Sequence, residues 1–262
     1  MPIRPLRVVA ELAGPLADSG DPPHLDGLLA LAWVRRHAKM LDLPRPSRFD
    51  GGASLAQEPH LPLARVEWDG RYVWLASAAL YDEPKTPAAI WSVKRRDVED
   101  FERLARKVNV VSGPAKNARV RADGLVTPRA VWYAWGDRRE VVRALRLIWG
   151  RESAPHGQVG SRRRTGSGQI LRWRVEEVPE LAPESPLVRS GVAARNLPLP
   201  WAAGAAGAKY GGVRPPYWHP ATMEQVVPPG IPVELLPEVV AACTWAAGGG
   251  RGPRPVPSAD GR

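Results

Sequence analysis

One cysteine, two phenylalanines and three methionines among 262 residues remove several chemistries before any motif is considered. Cys243 alone can form neither an internal disulfide nor a cysteine-rich zinc site, which fits a reducing interior. The opening Met1-Pro2-Ile3-Arg4-Pro5 lacks the apolar run of a signal peptide, and no stretch approaches the roughly 20 apolar residues of a membrane span. The expectation is a cytoplasmic chain with no membrane partner. Nor is there a phosphate loop closing on Gly-Lys-Ser/Thr: the nearest imitation, Gly204 to Lys209, is followed by Tyr210. The acids Asp97, Glu99, Asp100 and Glu102 have the spacing of a solvated helix face rather than a two-metal site, and the histidines have no cysteine partners for zinc. No metal and no cofactor are expected.

A hydrophobic content of 44% is enough to bury a core. Against 27 acids stand 37 Lys+Arg, a formal net charge of +10 that points to a polyanionic partner. A basic chain from a GC-rich genome would show the same total, so clustering has to decide. Ten arginines and two acids, Glu140 and Glu152, lie between Arg138 and Arg174, and that is the cluster. Eleven tryptophans offer indoles that could stack on bases, although core packing is the default for any one of them.

Leu6, Val8, Ala10 and Leu12 alternate with Arg7 and Glu11 as in a half-buried strand ending at Gly14-Pro15, and a helix follows from Leu25 to about Leu41. Asp26 in its first turn suits the positive end of the helix dipole. Pro44 to Pro62 reads as a connection. Two short runs, 64–68 and 71–75, flank Asp69-Gly70 as a hairpin. From Glu83 to Asn117 the pattern dissolves into charge, with a short helix expected from Asp97 to Lys107. Two more strands are expected around Asp123-Gly124, one near Val120 and one carrying Val131, Tyr133 and Trp135. Asp137 reads as the N-cap of a helix to about Gly150 that buries Val141, Val142, Leu145, Ile148 and Trp149 and exposes Arg139, Arg143 and Arg146. In the next strand Leu171, Trp173 and Val175 should face inward, with Arg172 and Arg174 outward. Beyond Pro179 the chain is rich in Pro, Gly and Ala. Its segments 195–201 and 209–218 read as surface arms or as wrapping of the core, a last helix is expected from Val233 to Trp245, and 248–262 is expected to be disordered.

Between that helix and strand lies Val159-Gly160-Ser161-Arg162-Arg163-Arg164-Thr165-Gly166-Ser167-Gly168. Glycines let main-chain N–H groups approach a ligand closely, and each arginine presents a planar fork suited to phosphate. A flexible, solvated linker is the other reading. The arginine-faced helix before it and the two outward arginines after it favour a phosphate cradle. Candidate phosphate contacts are therefore Arg139, Arg143 and Arg146, the loop from Gly160 to Gly168, and Arg172 and Arg174. Lys94, Arg95, Arg96 and Lys116 form a second basic set.

The element order βαββαβ is that of a ferredoxin-like, or RNA-recognition type, sheet. The chain is expected to be α+β: a core over 1–178 with a basic insertion around 83–117, and an irregular Pro/Gly-rich extension over 179–247. The loop at Val159-Gly160, with five residues before Gly166-Ser167-Gly168, resembles the glycine-rich loop of the RAMP superfamily of CRISPR proteins. That pattern usually carries a glycine at the position of Gln158; here Gly157 stands one place earlier. His24-Leu25-Asp26-Gly27-Leu28-Leu29, Val93-Lys94-Arg95-Arg96 and Ser112-Gly113-Pro114-Ala115-Lys116 are similar to the smaller RAMP subunit of type IV CRISPR effector complexes. The resemblance spans roughly residues 3 to 218. It implies a RAMP fold and a subunit that caps the 5′ handle of the guide RNA (crRNA) without catalysis. The implied partners are a backbone subunit, a large subunit and an RNA-processing subunit, with target nucleic acid and a DinG-like helicase as further candidates.

A metal-independent endoribonuclease that processes CRISPR repeat RNA is the alternative, since some RAMP relatives cut RNA. Such cleavage needs a base for the 2′-hydroxyl and an acid for the leaving oxygen. Among His24, His37, His60, His156 and His219, His156 is the catalytic candidate because it precedes the loop. No acid/base pair stands out beside it.

Overall fold

The computed structural model describes residues 2–17, 20–41, 59–94, 118–148, 157–160, 167–217 and 219–250. Strand β1 (Arg4–Leu12) leads through β2 (Leu16–Ala17) to helix α1 (Leu25–Leu41). The hairpin β3 (Arg65–Trp68) and β4 (Arg71–Trp74) follows, then β5 (Leu80–Tyr81), β6 (Thr86–Lys94), β7 (Ala118–Val126) and β8 (Arg129–Gly136). Helix α2 (Arg138–Ile148) and strand β9 (Ile170–Glu177) complete the first half of the elements. Short strands occupy much of the rest: β10 (Val188–Arg189), β11 (Val192–Ala193), β12 (Leu197–Pro198), β13 (Ala202–Ala203), β14 (Lys209–Gly212), β15 (Met223–Val227) and β16 (Glu234–Leu235), before helix α3 (Pro237–Ala247). The chain is a mixed α+β structure.

The central sheet has the order β5-β8-β1-β9, and every neighbouring pair is antiparallel. Alternation in β1 builds it: Leu6, Val8 and Ala10 share a face with Ala134, Trp132 and Ala130 across one edge, and Val8 meets Val175 across the other. Helices α1 and α2 cover that face, and Leu25, Leu29, Val141 and Leu145 pack into one core with Trp132, which is wholly buried. Asp137 caps α2 as its sequence predicts, its Oδ1 accepting N–H bonds from Arg139 at 2.9 Å and Glu140 at 3.1 Å. At the β3–β4 turn both Asp69 and Gly70 have positive φ, 51° and 68°, the pairing a two-residue hairpin needs.

Three expectations need correction. Asp123-Gly124 is not a turn: β7 runs straight through it, and the reversal into β8 falls at Thr127-Pro128. Gly124 is there for close approach, because a Cβ would lie 2.6 Å from Ile90 Cδ1 and 2.7 Å from the Leu16 carbonyl, where β2 pairs with β7. Leu171 is 51% exposed and Ile170 is buried in its stead. Glu11 pairs with Arg172 but Leu12 with Ile170, so Leu171 is the extra residue of a bulge. The last helix begins at Pro237 and ends at Ala247, since Glu234 and Leu235 are held as a strand against Ala203 and Ala202. Asp26 stands in the first turn of α1 as its sequence suggests, fully buried against Arg195. The expected helix over 97–107 and the residues 251–262 of the expected tail lie outside the described residues.

The Pro/Gly-rich part has a core of its own. Leu187, Leu197, Trp201, Val226 and Val239 pack with Val66, Val73 and Leu75, so the β3–β4 hairpin belongs by packing to the later half of the chain. Segments 195–201 and 209–217 follow the wrapping reading at their buried residues, which include Arg195, Leu197, Trp201 and Val213.

Candidate nucleic-acid interface

The glycine-arginine loop leaves the fold through a closed neck. Val159 N–H donates to the Gly168 carbonyl at 2.9 Å, Ile170 N–H to Gly157 at 2.8 Å, and Gln158 bridges to Gln169. The neck rests on the turn after β1, where Gly168 N–H reaches the Pro15 carbonyl at 2.9 Å and Ala13 N–H reaches Gln169 at 2.9 Å. Gln158, where the resembled loop pattern carries glycine, thus sits in an extended pair. Two glycines make this closure possible. Gly160 has φ +85° and packs by Leu16, while Gly168 has φ +67° and stands so close to Val159 that a Cβ would lie 1.8 Å from its carbonyl oxygen. No other residue fits at 168. Val159 and Ser167 are buried in the neck, and Ser167 Oγ has no hydrogen-bond partner among the described residues.

Ser161, Arg162, Arg163, Arg164, Thr165 and Gly166, together with His156, Arg95, Arg96 and Lys116, lie outside the described residues, as does the side chain of Lys94. The remaining arginines are not all brought to one face. Arg139, Arg143 and Arg146 are exposed on the side of α2 away from the sheet. Arg172 and Arg174 project from the opposite face of the sheet, in register with Glu11 and Val9. Arg174 is ion-paired with Glu11 there. The same face holds Arg129 against Asp82 at 2.7 Å and Arg7 against Glu176 at 3.5 Å, and Arg189 lies 3.8 Å over the Tyr133 ring. That face is a charge mosaic, whereas the α2 face carries its arginines against Glu140 alone. Local spacing misled the sequence reading because adjacent elements of a sandwich present their outward residues to opposite sides.

A buried polar cluster is the feature that sequence reasoning missed. Arg195 donates to Asp26 Oδ2 at 3.1 Å, to the Val213 carbonyl at 2.6 Å, to the Ala76 carbonyl at 2.9 Å and to Tyr217 Oη at 2.9 Å. Tyr217 Oη donates in turn to Asp26 Oδ1 at 2.6 Å. His24 stacks on Tyr217 with ring centroids 4.5 Å apart, and its Nε2 accepts from the Asn196 N–H at 3.2 Å. Burial pushes the His24 pKa well below the ordinary histidine value, and the charges of Arg195 and Lys209 push the same way. Burial likewise raises Asp26, against the pull of Arg195, and lifts the Tyr217 phenol well above its usual value. Gly27 leaves room for Tyr217, whose ring would sit 3.3 Å from a Cβ there. The His24-Leu25-Asp26-Gly27 motif is therefore a fastening between α1 and the segments around 195 and 217, not a surface for ligand. Its signal in the sequence was a polar pair, His24 and Asp26, at the start of a helix whose next charged residue is Arg35.

Among the described residues no group of three or more His, Cys, Asp or Glu side chains is placed to hold a metal ion, and no helix is long and apolar enough to cross a membrane. No curated protein matches the chain. Residues 4–122 match the family described as CRISPR type IV associated protein Csf3. The match takes in β1, α1 with its His24–Gly27 motif, the hairpin, and the strands through the first part of β7; the glycine-arginine loop follows it in the chain. Over residues 4–122 the chain is similar to the CRISPR type IV associated protein Csf3 family.

Proposed function

We propose that this subunit binds guide RNA without cutting it, capping the 5′ handle with the arginines of the 161–166 loop. The observation that carries the reading is the neck: two positive-φ glycines and a ladder of main-chain bonds close a six-residue excursion holding Arg162, Arg163 and Arg164, which a solvated linker does not need. Ser167 Oγ, buried at its base, is a further donor turned to no described partner. Arg139 and Arg146 on α2 would add cations on one side of the sheet and Arg172 on the other, while Arg174, ion-paired with Glu11, contributes least. The sheet order supports a ferredoxin-like RAMP fold, since a β1-α-β-β-α-β chain whose last strand pairs with its first gives this arrangement with helices on one face. Lys94, Arg95, Arg96 and Lys116 form a second RNA-binding set along the insertion, and the backbone, large and RNA-processing subunits are its partners.

The test is a fluorescence titration of labelled repeat-derived RNA with the full chain over a series of salt concentrations. Changing Arg162, Arg163 and Arg164 together to alanine should weaken binding and flatten the log–log salt slope by about 0.7 for each phosphate that is no longer neutralised, the value for single strands. An unchanged slope would reduce the loop to a linker. Cleavage of the same RNA in the presence of a chelator, abolished by His156→Ala, would replace the binding reading with the nuclease one.

A further inference from the structure

A groove between α1 and α2 is open among the described residues. Small side chains create it: Ala32 on α1 and Ala144 on α2 stand where larger residues would close the helix pair, leaving a cleft of about 440 Å3 lined also by Leu29, Trp33 and Leu147. Leu147 keeps 41% of its surface exposed, unusual for leucine on a helix whose other apolar face is buried. The rim is cationic. Arg36 and Arg143 stand on it with His37 and His60, against one acid, Glu140, whose carboxylate is already 3.4 Å from Arg143. Leu29 to His37 spans about 12 Å of helix at 1.5 Å per residue, the length of two to three turns of a partner helix.

We propose that this groove docks an acidic amphipathic helix of another polypeptide of the type IV assembly. An apolar side chain of that helix seats against Ala32, Ala144 and Leu147, and its carboxylates meet Arg36 and Arg143. Charge complementarity and an apolar floor are what helix-in-groove recognition uses. RNA is the poorer occupant. The side chains of Leu29, Ala32, Ala144 and Leu147 offer no donor or acceptor to a base edge, and the Trp33 ring is already engaged by His37, with centroids 4.6 Å apart and His37 Nδ1 2.8 Å from the Trp33 carbonyl. The proposal rests on the chain being a subunit of a type IV complex and is independent of where the RNA binds.

The test replaces Leu147 with p-benzoylphenylalanine in the full chain, co-expressed with the other subunits and guide RNA. Irradiation should join it to a segment of another subunit with apolar residues at helical spacing among Asp and Glu. Ala144→Glu, which places a carboxylate on the floor, should lower retention of the chain in the purified complex at least tenfold while leaving the isolated chain's affinity for repeat-derived RNA unchanged. Arg36→Glu, on the exposed rim, repeats the measurement should Ala144→Glu lower the melting temperature. Cross-linking to RNA or to a second copy of this chain, no cross-link to any partner, or undiminished retention of a folded groove variant would overturn the proposal. A loss of RNA affinity in the loop variants bears on the RNA reading alone.

Discussion

Acidification should loosen this protein through a single proton on His24. The imidazole is buried, stacked on Tyr217, faced by the charges of Arg195 and Lys209, and committed as an acceptor to the Asn196 N–H. Its pKa is lowered in the fold and returns to about 6.5 in the unfolded chain. The unfolded state therefore takes up a proton that the folded state refuses, so stability is full above pH 6.5 and falls as the pH drops below it. The loss is bounded by RT ln(1 + 10^(6.5 − pH)), which is on the order of 1 kcal/mol between pH 7 and pH 5.5. Against total stabilities of about 5–15 kcal/mol this is readily measured. Urea unfolding followed by tryptophan fluorescence at the two pH values provides the assay. The control is His24→Gln, whose Oε1 can accept from Asn196 but cannot titrate. The wild-type loss between pH 7 and 5.5 should exceed that of the variant by up to roughly 1 kcal/mol; equal losses would mean that the proton binds elsewhere and that the reading of His24 is wrong.

Two further outcomes follow from the same geometry. Arg195→Met leaves the Asp26 carboxylate buried without its partner and should cost about 3–5 kcal/mol in urea unfolding, whereas the double variant Asp26→Asn/Arg195→Met should recover part of that loss. Gly168→Ala drives a Cβ into the Val159 carbonyl and should open the neck, lowering RNA affinity and destabilising the fold by more than about 1 kcal/mol. Gly191→Ala, with similar positive φ but open space around its Cβ, separates the collision from the backbone strain, and equal effects at the two sites would remove the case for a closed neck.

The sheet was legible where short-range chemistry fixes it. Period-two alternation marked β1, Asp69-Gly70 marked the hairpin, and Asp137 marked the start of α2, because each signal acts within a few residues. The errors arose where a distant segment decides. Gly124 reads as a turn until β2 is seen packing against it, and Leu171 reads as core until the bulge against Leu12 shifts the register. The site followed the same division. The glycines of the loop were recognisable by spacing, and those at 160 and 168 have positive φ. The grouping of Arg139–Arg146 with Arg172–Arg174 did not survive, because nothing local reveals that helix and strand present opposite sides of one layer pair. Arg195 was invisible as a core residue: an arginine is read as surface unless its buried acid, 169 positions earlier, is known to be its partner.

The central position of β1 has a consequence in time. Its two neighbours, β8 and β9, begin at residues 129 and 170. At a synthesis rate of roughly 5–20 residues per second, the first strand made waits about 6–25 seconds for its first neighbour and longer for its second. Throughout that interval Leu6, Val8 and Ala10, which end up fully buried, have no sheet to join. The emerging chain thus carries an unpaired apolar strand until β8 and β9 have been made, and shielding that strand becomes a requirement of biosynthesis rather than of the finished fold.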